Sequence, residues 1–304
     1  MQVMTRRERH ATPNTIQMHK LCRFNRGGGR PQVGVINELG AVFDLSYAGF
    51  STLTEILEAK DPVAKLGEAL GDDNLPSYPL AEVTLFSPIE GQEVWAAGVT
   101  YLRSKSARME ESDFSATAYD RVYDAERPEL FFKSMPGKVV DPGGEVGIRA
   151  DAGWNVPEPE LTLVFNSKKE LVGCSIGNDM SSRDIEGENL LYLPQAKVYD
   201  KSCAVGPCIV LGASESEVRE WTIGVTIDRG GETAFEGETS IGQIKRSFAE
   251  LGDFLWRSQS FPDGVALMTG TGVVPGEDFT LAAGDVVRIH ISGIGVLENT
   301  VAVV

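Results

Sequence analysis

The chain of 304 residues is 42% hydrophobic and 24% charged, a balance typical of a folded globular protein. Its 44 acidic and 28 basic residues give a formal net charge of −16, and a field of that sign repels nucleic-acid phosphates and anionic lipid. No apolar run is long enough to span a bilayer. The composition therefore excludes a collagen, a coiled coil and a disordered chain, and it argues against a nucleic-acid or membrane partner.

Cysteine and histidine are scarce, and this limits the available chemistry. The four cysteines form no CxxC pair and are too few for a disulfide scaffold, which predicts a reduced, cytoplasmic protein. Only three histidines are present, so a Ser-His-Asp triad or a multi-histidine zinc site has almost nothing to use. Acid–base and metal chemistry must then fall to carboxylates and lysines.

In chain order, the pattern first predicts a flexible arm over residues 1–18 and a small N-terminal α+β domain over residues 19–86. The arm is polar and basic and lacks the apolar centre of a signal peptide. Gly27-Gly28-Gly29 lies between two short predicted strands. It is interpreted as a hairpin turn because no Lys-Ser/Thr and no helix follow it. Two helices are expected, one from Ser51 with a capping serine or threonine before a glutamate, and one over 63–70.

The second predicted domain, residues 87–304, is mainly β. An apolar strand covers 94–99, and short strands with Gly/Pro turns dominate from Leu130 onward, as in a β-sandwich or barrel. One helix is expected over 244–254. The charged stretch 103–127 is long for a loop, and we interpret it as a lid or binding segment.

The sharpest local feature is the segment Glu158-Pro159-Glu160. The two glutamates stand two apart at the entry to a strand, so both side chains project from one face. Two carboxylates on one face repel each other unless protons or a cation lie between them. In isolation such a pair is most often solvated on an exposed surface, so the following strand has to decide between the two interpretations.

The register of the next hairpin decides whether a third carboxylate joins the pair. A four-residue turn over 167–170 would place Asp179 opposite Glu158. A five-residue turn would point Asp179 to the other face, unless Gly173 or Gly177 forms a bulge. The first register assembles three carboxylates at one end of a hairpin.

Three carboxylates without histidine or thiolate suit Mg²⁺, Mn²⁺ or Ca²⁺ and would leave coordination positions open for water or a chelating substrate. Arg183 and Lys197 follow closely in the chain and can bind an anionic substrate. A lysine near a dication also holds its proton less tightly, which suits it to act as a base. A lone basic residue is usually a surface charge, so it is the density of charges near the carboxylates that favours a site.

These motifs resemble the fumarylacetoacetate hydrolase superfamily over residues 94–300. The resemblance is carried by Glu158-Pro159-Glu160-Leu161, by Asn178-Asp179-Met180-Ser181-Ser182-Arg183-Asp184 and by Lys197, with further matches at Gly98 with Tyr101, Phe132-Lys133, Gly206-Pro207, Thr269-Gly270-Thr271-Gly272, Gly284-Asp285-Val286-Val287 and residues 293–299. It implies an α+β, mostly β fold, a mixed β-sandwich roll that follows the small N-terminal domain. It also implies a homodimer or dimer-based oligomer, with Mg²⁺ (or Mn²⁺ or Ca²⁺) bound by Glu158, Glu160 and Asp179.

One departure from the superfamily pattern points to a reaction. Hydrolase and decarboxylase members carry Asn-Tyr-x-x-His, whose histidine works with a glutamate to activate water. Here the stretch is Thr100-Tyr101-Leu102-Arg103-Ser104, so Ser104 stands in the place of the histidine. Residues 183–189 and 192–197 instead resemble the sugar-acid dehydratase members. The resemblance thus implies metal-dependent dehydration of a 2-keto-3-deoxy sugar acid, 2-keto-3-deoxypentonate, to 2-oxoglutarate semialdehyde.

The chemistry of that branch assigns roles to further residues. A 2-keto acid can chelate the metal, which then acts as a Lewis acid, acidifies C3–H and stabilises the enolate before the C4 hydroxyl leaves. We predict that Lys197 is the base at C3, that Glu129 is the acid for the leaving hydroxyl, and that Lys133, on the same strand face as Glu129, is a further catalytic residue. The predicted substrate-binding residues are Arg183, Thr271, Tyr101, Arg103, Ser104, Ser182 and Glu186, and Arg108 and Arg121 are further candidates.

Two alternatives stay open at this point. The same fold could serve an acylpyruvate hydrolase or an oxaloacetate decarboxylase, against which Ser104 counts. A non-catalytic sugar-acid binding protein is the other, against which the presence of Arg183 and Lys197 counts. In each case the expected partner is a small 2-keto acid, with no nucleic acid and no membrane.

Overall fold

A computed structural model describes residues 18–101 and 121–304. Its strands are β1 (His19–Asn25), β2 (Gln32–Ile36), β3 (Ala41–Asp44), β4 (Ser77–Pro79), β5 (Thr84–Phe86), β6 (Glu93–Gly98), β7 (Glu129–Ser134), β8 (Glu145–Ile148), β9 (Asn155–Val156), β10 (Pro159–Phe165), β11 (Leu171–Asp179), β12 (Ser181–Ser182), β13 (Cys203–Leu211), β14 (Thr222–Arg229), β15 (Glu232–Ser240), β16 (Val265–Met268), β17 (Val286–Ile291) and β18 (Gly295–Val303). The helices discussed below are α1 (Thr54–Leu57), α2 (Pro62–Leu70), α3 (Arg183–Glu188), α4 (Leu193–Lys197), α5 (Glu215–Arg219) and α6 (Phe248–Leu255). The mostly β fold predicted from the sequence is confirmed.

Two mixed sheets form the body of the molecule. The larger has the strand order β4-β3-β2-β1-β13-β11-β10-β16-β6-β7, with β5 paired to β1, and the second has the order β15-β14-β17-β18-β8. Neighbouring strands are antiparallel except for β6 with β16 and β8 with β18. Leu163 and Ile176 of the larger sheet share one hydrophobic core with Val225 and Ile289 of the second, so the sheets pack against each other.

The N-terminal strands extend the larger sheet. Strand β1 pairs with β13 as well as with β2 and β5. Helices α1 and α2 cover this part of the sheet, where Leu53, Ile56 and Leu66 are fully buried together with Ile209 of β13. The boundary near residue 86 stays a prediction. The predicted arm lies outside the described residues except for Met18, and none of the described helices has the length and apolar character that a membrane crossing needs.

Two N-terminal turns follow the sequence pattern closely. Gly27, Gly28 and Gly29 have φ angles of 72°, 107° and 101°, a backbone conformation that glycine adopts without strain, and they connect β1 to β2 as predicted. Helix α1 begins at Thr54, slightly later than the expected start at Ser51. Leu53 stands at the N-cap position, and the predicted threonine acts one residue earlier, where Oγ1 of Thr52 accepts a hydrogen bond of 3.3 Å from the amide of Glu55.

The helix expected over 244–254 starts four residues late. Helix α6 begins at Phe248, where Oγ of Ser247 accepts a hydrogen bond of 3.1 Å from the amide of Glu250. Ile244 instead forms a β-bridge with Tyr101, and the next amide, of Lys245, donates to the Thr100 carbonyl at 3.0 Å. Pairing with a distant segment therefore overrides local helical periodicity at residues 244–246.

The hairpin of β10 and β11 resolves the register question. Phe165 pairs with Leu171 across a five-residue turn, and the register then shifts by one, so that Val164 pairs with Gly173. The extra residue, Val172, forms a bulge that restores the alignment in which Asp179 lies beside Glu158. The predicted alignment is correct, but it arises from a bulge next to Gly173 and not from a four-residue turn.

Candidate metal centre and active site

The hairpin brings three carboxylates to one point. Glu158 directly precedes β10, Glu160 lies within it, and Asp179 ends β11, where its amide donates to the Glu158 carbonyl at 3.0 Å. One ligand oxygen from each of the three lies within 4.8 Å of the other two. All three side chains are buried. The predicted cluster is therefore present, and its all-oxygen donor set fits Mg²⁺, Mn²⁺ or Ca²⁺.

Side-chain cations compensate two of these carboxylates. The Lys197 ammonium lies 2.7 Å from Oε2 of Glu158 and 3.2 Å from Oδ2 of Asp179. The Lys133 ammonium contacts Oδ1 of the same aspartate. The Arg183 guanidinium lies 3.0 Å from Oε1 of Glu158. Such pairs offset the large penalty of burying charge.

Glu160 is held differently. The hydrogen bond that it accepts from the described residues comes from the backbone amide of Gly270, which lies 2.6 Å from Oε2. Burial raises the pKa of the Glu160 carboxyl well above its ordinary value, and the negative charges of Asp179 and Glu158 raise it further. A bound cation would relieve this repulsion, so the donor geometry and the charge distribution agree.

A cavity of about 420 Å³ opens in front of the carboxylates. Its charged lining residues are Glu158, Glu160, Asp179, Glu236, Arg183 and Lys197. The rest of the lining is mainly apolar and includes Ala97, Gly98, Val99, Phe131, Phe235, Val273, Val274 and Pro275. This volume is in the range of small-molecule sites, and Arg183 and Lys197 can bind an anionic group of a ligand.

The structure divides the predicted substrate-binding residues into two groups. Arg183 and Thr271 line the cavity, although the Thr271 hydroxyl is engaged with the Val273 backbone at 3.0 Å. Ser182 and Glu186 are buried away from the lining and support their neighbours. Oγ of Ser182 donates to Oδ1 of Asn155 at 2.8 Å, and Oε2 of Glu186 accepts from Oγ of Ser181 at 3.1 Å and lies 3.8 Å from Arg183.

Tyr101 and Lys133 are also buried behind the cavity wall. The Tyr101 ring packs so tightly under Gly272 that a Cβ on that glycine would lie 2.4 Å from the ring. The Lys133 ammonium donates to the backbone carbonyls of Met180, at 3.0 Å, and Lys197. Both residues are therefore placed to position others, and their assigned roles stay predictions.

Glu129 does not belong to the lining of the cavity, but it lies directly beside Gly98, which does. It pairs with Gly98 across β6 and β7, and a Cβ at Gly98 would lie 2.0 Å from Oε2 of Glu129. Since Gly98 lines the cavity, the carboxyl group of Glu129 is close to the space a substrate would fill. Its catalytic role stays a prediction.

Most of the predicted lid, residues 103–127, lies outside the described residues, and this part includes Arg103, Ser104 and Arg108. Arg121 is described, and it does not belong to the lining of the cavity.

Sequence reasoning missed much of the apolar wall. Phe235 and Gly237 come from β15 of the second sheet, far along the chain from the carboxylates, and no local motif marks them. Gly270 had a signal, because it stands in the Thr-Gly-Thr-Gly segment that carried part of the resemblance. Its φ of 87° explains the glycine, but its contact with Glu160 depends on tertiary packing.

A model of the fumarylacetoacetate hydrolase C-terminal family matches residues 94–302, which include the whole cavity lining. The chain belongs to this family. The resemblance identified from the sequence motifs is thereby confirmed.

Two named relatives are similar over most of their length. A probable 2-keto-3-deoxyxylonate dehydratase of Haloferax volcanii is 47% identical over 217 residues, which cover 71% of this chain and 74% of that protein. A 2-dehydro-3-deoxy-D-arabinonate dehydratase of Saccharolobus solfataricus is 37% identical over 274 residues, covering 84% and 92% respectively.

A solved structure of a 2-keto-3-deoxy-D-arabinonate dehydratase is similar in fold and sequence. It superposes with a TM-score of 0.74 at 31% identity, covers 94% of this chain and 99% of its own, and is complexed with magnesium and 2,5-dioxopentanoate.

Proposed function

We propose that this protein is a hydro-lyase that converts a 2-keto-3-deoxypentonate into 2,5-dioxopentanoate, which is 2-oxoglutarate semialdehyde. The observation that carries the proposal is the buried triad of Glu158, Glu160 and Asp179 facing the same cavity as Arg183 and Lys197. The dehydratase relatives and the product-bound neighbour supply the substrate class.

The three carboxylates would hold one Mg²⁺, with Mn²⁺ or Ca²⁺ as substitutes. When bound, the ion supplies Lewis acidity to a 2-keto acid and so makes its C3–H more acidic. Arg183 orients the substrate carboxylate from the polar side of the cavity, and Thr271 borders the same space. The apolar side excludes water from the reacting carbons.

Lys197 removes the first proton. Its ammonium lines the cavity beside two of the carboxylates that would hold the ion, so it can contact a substrate bound there. It acts as the neutral amine, and added positive charge among the same carboxylates favours that form. The electron pair of the C3–H bond moves into the carbon skeleton, and the hydroxyl at C4 becomes the leaving group.

Glu129 donates the proton that lets the C4 hydroxyl leave as water. The carboxyl group lies beside Gly98, which is one of the lining residues of the cavity. The unsaturated keto acid then loses a proton from C5 and gains one at C3, which gives an enol across C4 and C5. The enol loses its hydroxyl proton and gains a proton at C4, which leaves the aldehyde at C5. The net change is the loss of one water molecule.

We further propose a homodimer or dimer-based oligomer that works in the cytoplasm. All four cysteines are buried and unpaired, which suits a reducing compartment. Light scattering coupled to gel filtration measures the oligomeric state directly, and a monomer at micromolar concentration would contradict that part of the proposal.

The test is a turnover assay with defined substrates. The purified protein with Mg²⁺ is given both epimers of 2-keto-3-deoxypentonate, and product is measured through an aldehyde dehydrogenase that reduces NAD(P)⁺. We expect turnover that disappears with EDTA and returns with Mg²⁺. Lys197→Met serves as the inactive variant, and Lys201→Met, an exposed lysine paired with Glu145, as the matched control.

Two other outcomes would overturn the proposal. Pyruvate release from acylpyruvates faster than dehydration would indicate the hydrolase reaction of the same family. Tight binding of 2-keto-3-deoxypentonate in calorimetry without any product would indicate a binding protein.

A further inference from the structure

The peptide group between residues 269 and 270 connects a metal ligand to a buried hydroxyl. Its N–H belongs to Gly270 and donates to Oε2 of Glu160 at 2.6 Å. Its C=O belongs to Thr269 and accepts from Oγ1 of Thr100 at 2.5 Å. One rigid peptide plane therefore carries hydrogen bonds at both ends.

Thr100 is buried, and both its hydroxyl and its carbonyl are hydrogen-bonded. Its residue is 1% exposed, and its carbonyl accepts from the Lys245 amide at 3.0 Å. The preceding residue, Val99, lines the cavity with a φ of 53°, a left-handed conformation that is strained for a β-branched side chain. A Cβ on Gly270 would lie 2.3 Å from Oγ1 of Thr100, so the glycine lets the two segments touch.

Such a chain of hydrogen bonds is cooperative. A donor on the carbonyl polarises the peptide and makes its N–H a stronger donor at the other end. That matters here because, among the described residues, no side-chain cation forms a salt bridge with Glu160, whose carboxylate accepts a hydrogen bond from this amide. The Thr269 amide and hydroxyl also bind the Leu161 carbonyl, at 3.0 and 2.9 Å, which ties the peptide to the strand that carries Glu160.

We propose that Thr100 is a positioning residue for the Glu160 carboxylate and acts through the 269–270 peptide. The inference rests on the metal site of the proposed function. Thr100 does not touch the ion or the substrate. Its hydroxyl fixes the peptide so that one oxygen of Glu160 is held by Gly270 and the other is left to face the ion.

The test compares two threonines that differ in their contacts. Thr100→Val removes the hydroxyl at nearly constant volume. Thr162→Val makes the same change on β10, two residues from Glu160, where the buried hydroxyl has no hydrogen-bond partner among the described residues. Mg²⁺ binding to each metal-free protein is measured by calorimetry, with Mn²⁺ binding by electron paramagnetic resonance as a second probe.

We expect Thr100→Val to raise the Kd for both ions by about tenfold or more, the range found when a group that orients a metal ligand is lost. Thr162→Val should bind as the wild type does, and Thr100→Ser, which keeps the hydroxyl, should restore binding. In the turnover assay, excess Mg²⁺ should recover most of the kcat of Thr100→Val. If Thr100→Val does not fold, Thr100→Cys, with its weaker donor, replaces it in the same measurements.

The outcomes separate this inference from the proposed function. Folded Thr100→Val with wild-type metal affinity would overturn it, as would equal losses in Thr100→Val and Thr162→Val. Weaker binding in Thr100→Val alone supports it even if no dehydration is detected, because the binding assay contains no substrate. A wild-type protein that binds neither ion would overturn both.

Discussion

The two sides of the carboxylate cluster are compensated by different means. Glu158 and Asp179 lie against side-chain cations, whereas Glu160 accepts a hydrogen bond from one backbone amide, that of Gly270, within the part of the chain that the structure describes. A full opposite charge offsets burial of a carboxylate far better than one amide dipole does. The raised pKa of the Glu160 carboxyl follows from this difference, with burial as its main cause. The protein thus stabilises one side of the site by itself and leaves the other to gain most from a cation.

The largest expected effect tests the cationic side. Lys197→Met removes the proposed base and should lower kcat for 2-keto-3-deoxypentonate by about 10²–10⁴-fold, the range for loss of a general base. Because the three carboxylates remain, Mg²⁺ should still bind in calorimetry. Retained turnover would show that another residue takes the C3 proton. Loss of Mg²⁺ binding would show that the Lys197 ammonium is needed to form the metal site and does not act in catalysis alone.

The next effect contrasts the two sides directly. Asp179→Asn leaves the buried Lys133 without its carboxylate partner and leaves Lys197 with Glu158 alone, so the metal-free protein should lose about 3–5 kcal/mol of unfolding free energy. Glu160→Gln keeps an acceptor for the Gly270 amide and removes repulsion, so the metal-free protein should be at least as stable as the wild type. Denaturant unfolding in EDTA measures both.

Both variants should also lose Mg²⁺ binding, which separates stability from ligation. Equal destabilisation of the two metal-free variants would contradict the contrast between the sides. Glu238→Gln is a suitable control, because that glutamate is half-exposed on the second sheet, where it contacts His290. It should change neither stability nor metal affinity to a comparable extent.

The metal ligands could be predicted because they are local in sequence. Glu158 and Glu160 share a strand face by the period of two, and Asp179 follows on the next strand, so a hairpin is enough to bring the three together. The sequence allowed a five-residue turn with a bulge at Gly173 or Gly177 as well as a four-residue turn, but it could not decide between them or place the bulge at Val172. Turn length and bulge compensate each other, and an apolar residue of this type carries no signal for an extra position.

Structural features that depend on contacts between distant segments could not be predicted from the sequence, and the reason is general. Ile244 and Lys245 lie in a segment with helical periodicity, yet they pair with Tyr101 and Thr100, and that tertiary contact decides their conformation. The wall formed by Phe235 and Gly237 depends on how the second sheet lies over the first. Periodicity reports which face of an element is buried, but it does not report what covers that face.

A smaller effect concerns Glu129, which lies beside the backbone of Gly98. Gly98→Ala places a Cβ where Oε2 of Glu129 now lies, so the carboxyl group must move away. We expect kcat to fall by about tenfold to a hundredfold, as for a misplaced catalytic group, with Mg²⁺ affinity unchanged. Gly137→Ala is the matched control, since a Cβ there meets nothing within 4 Å. Unchanged kcat in Gly98→Ala would argue against Glu129 as the acid.

The smallest expected effect is a pH dependence of the stability that arises from Glu160, the carboxylate bonded to the Gly270 amide. The pKa of the Glu160 carboxyl is raised in the folded state, mainly by burial. The stability that this residue contributes is therefore present at pH values below its unfolded pKa and is lost as the pH rises through its folded pKa. In EDTA, the difference in Tm between Glu160→Gln and the wild type should grow from pH 5 toward higher pH and then level off, with the variant more stable. Differential scanning fluorimetry over that pH range measures this difference in Tm.

A difference in Tm that shrinks with rising pH would mean that the charged form of Glu160 is already stabilised without metal, and the contrast between the two sides of the cluster would not hold.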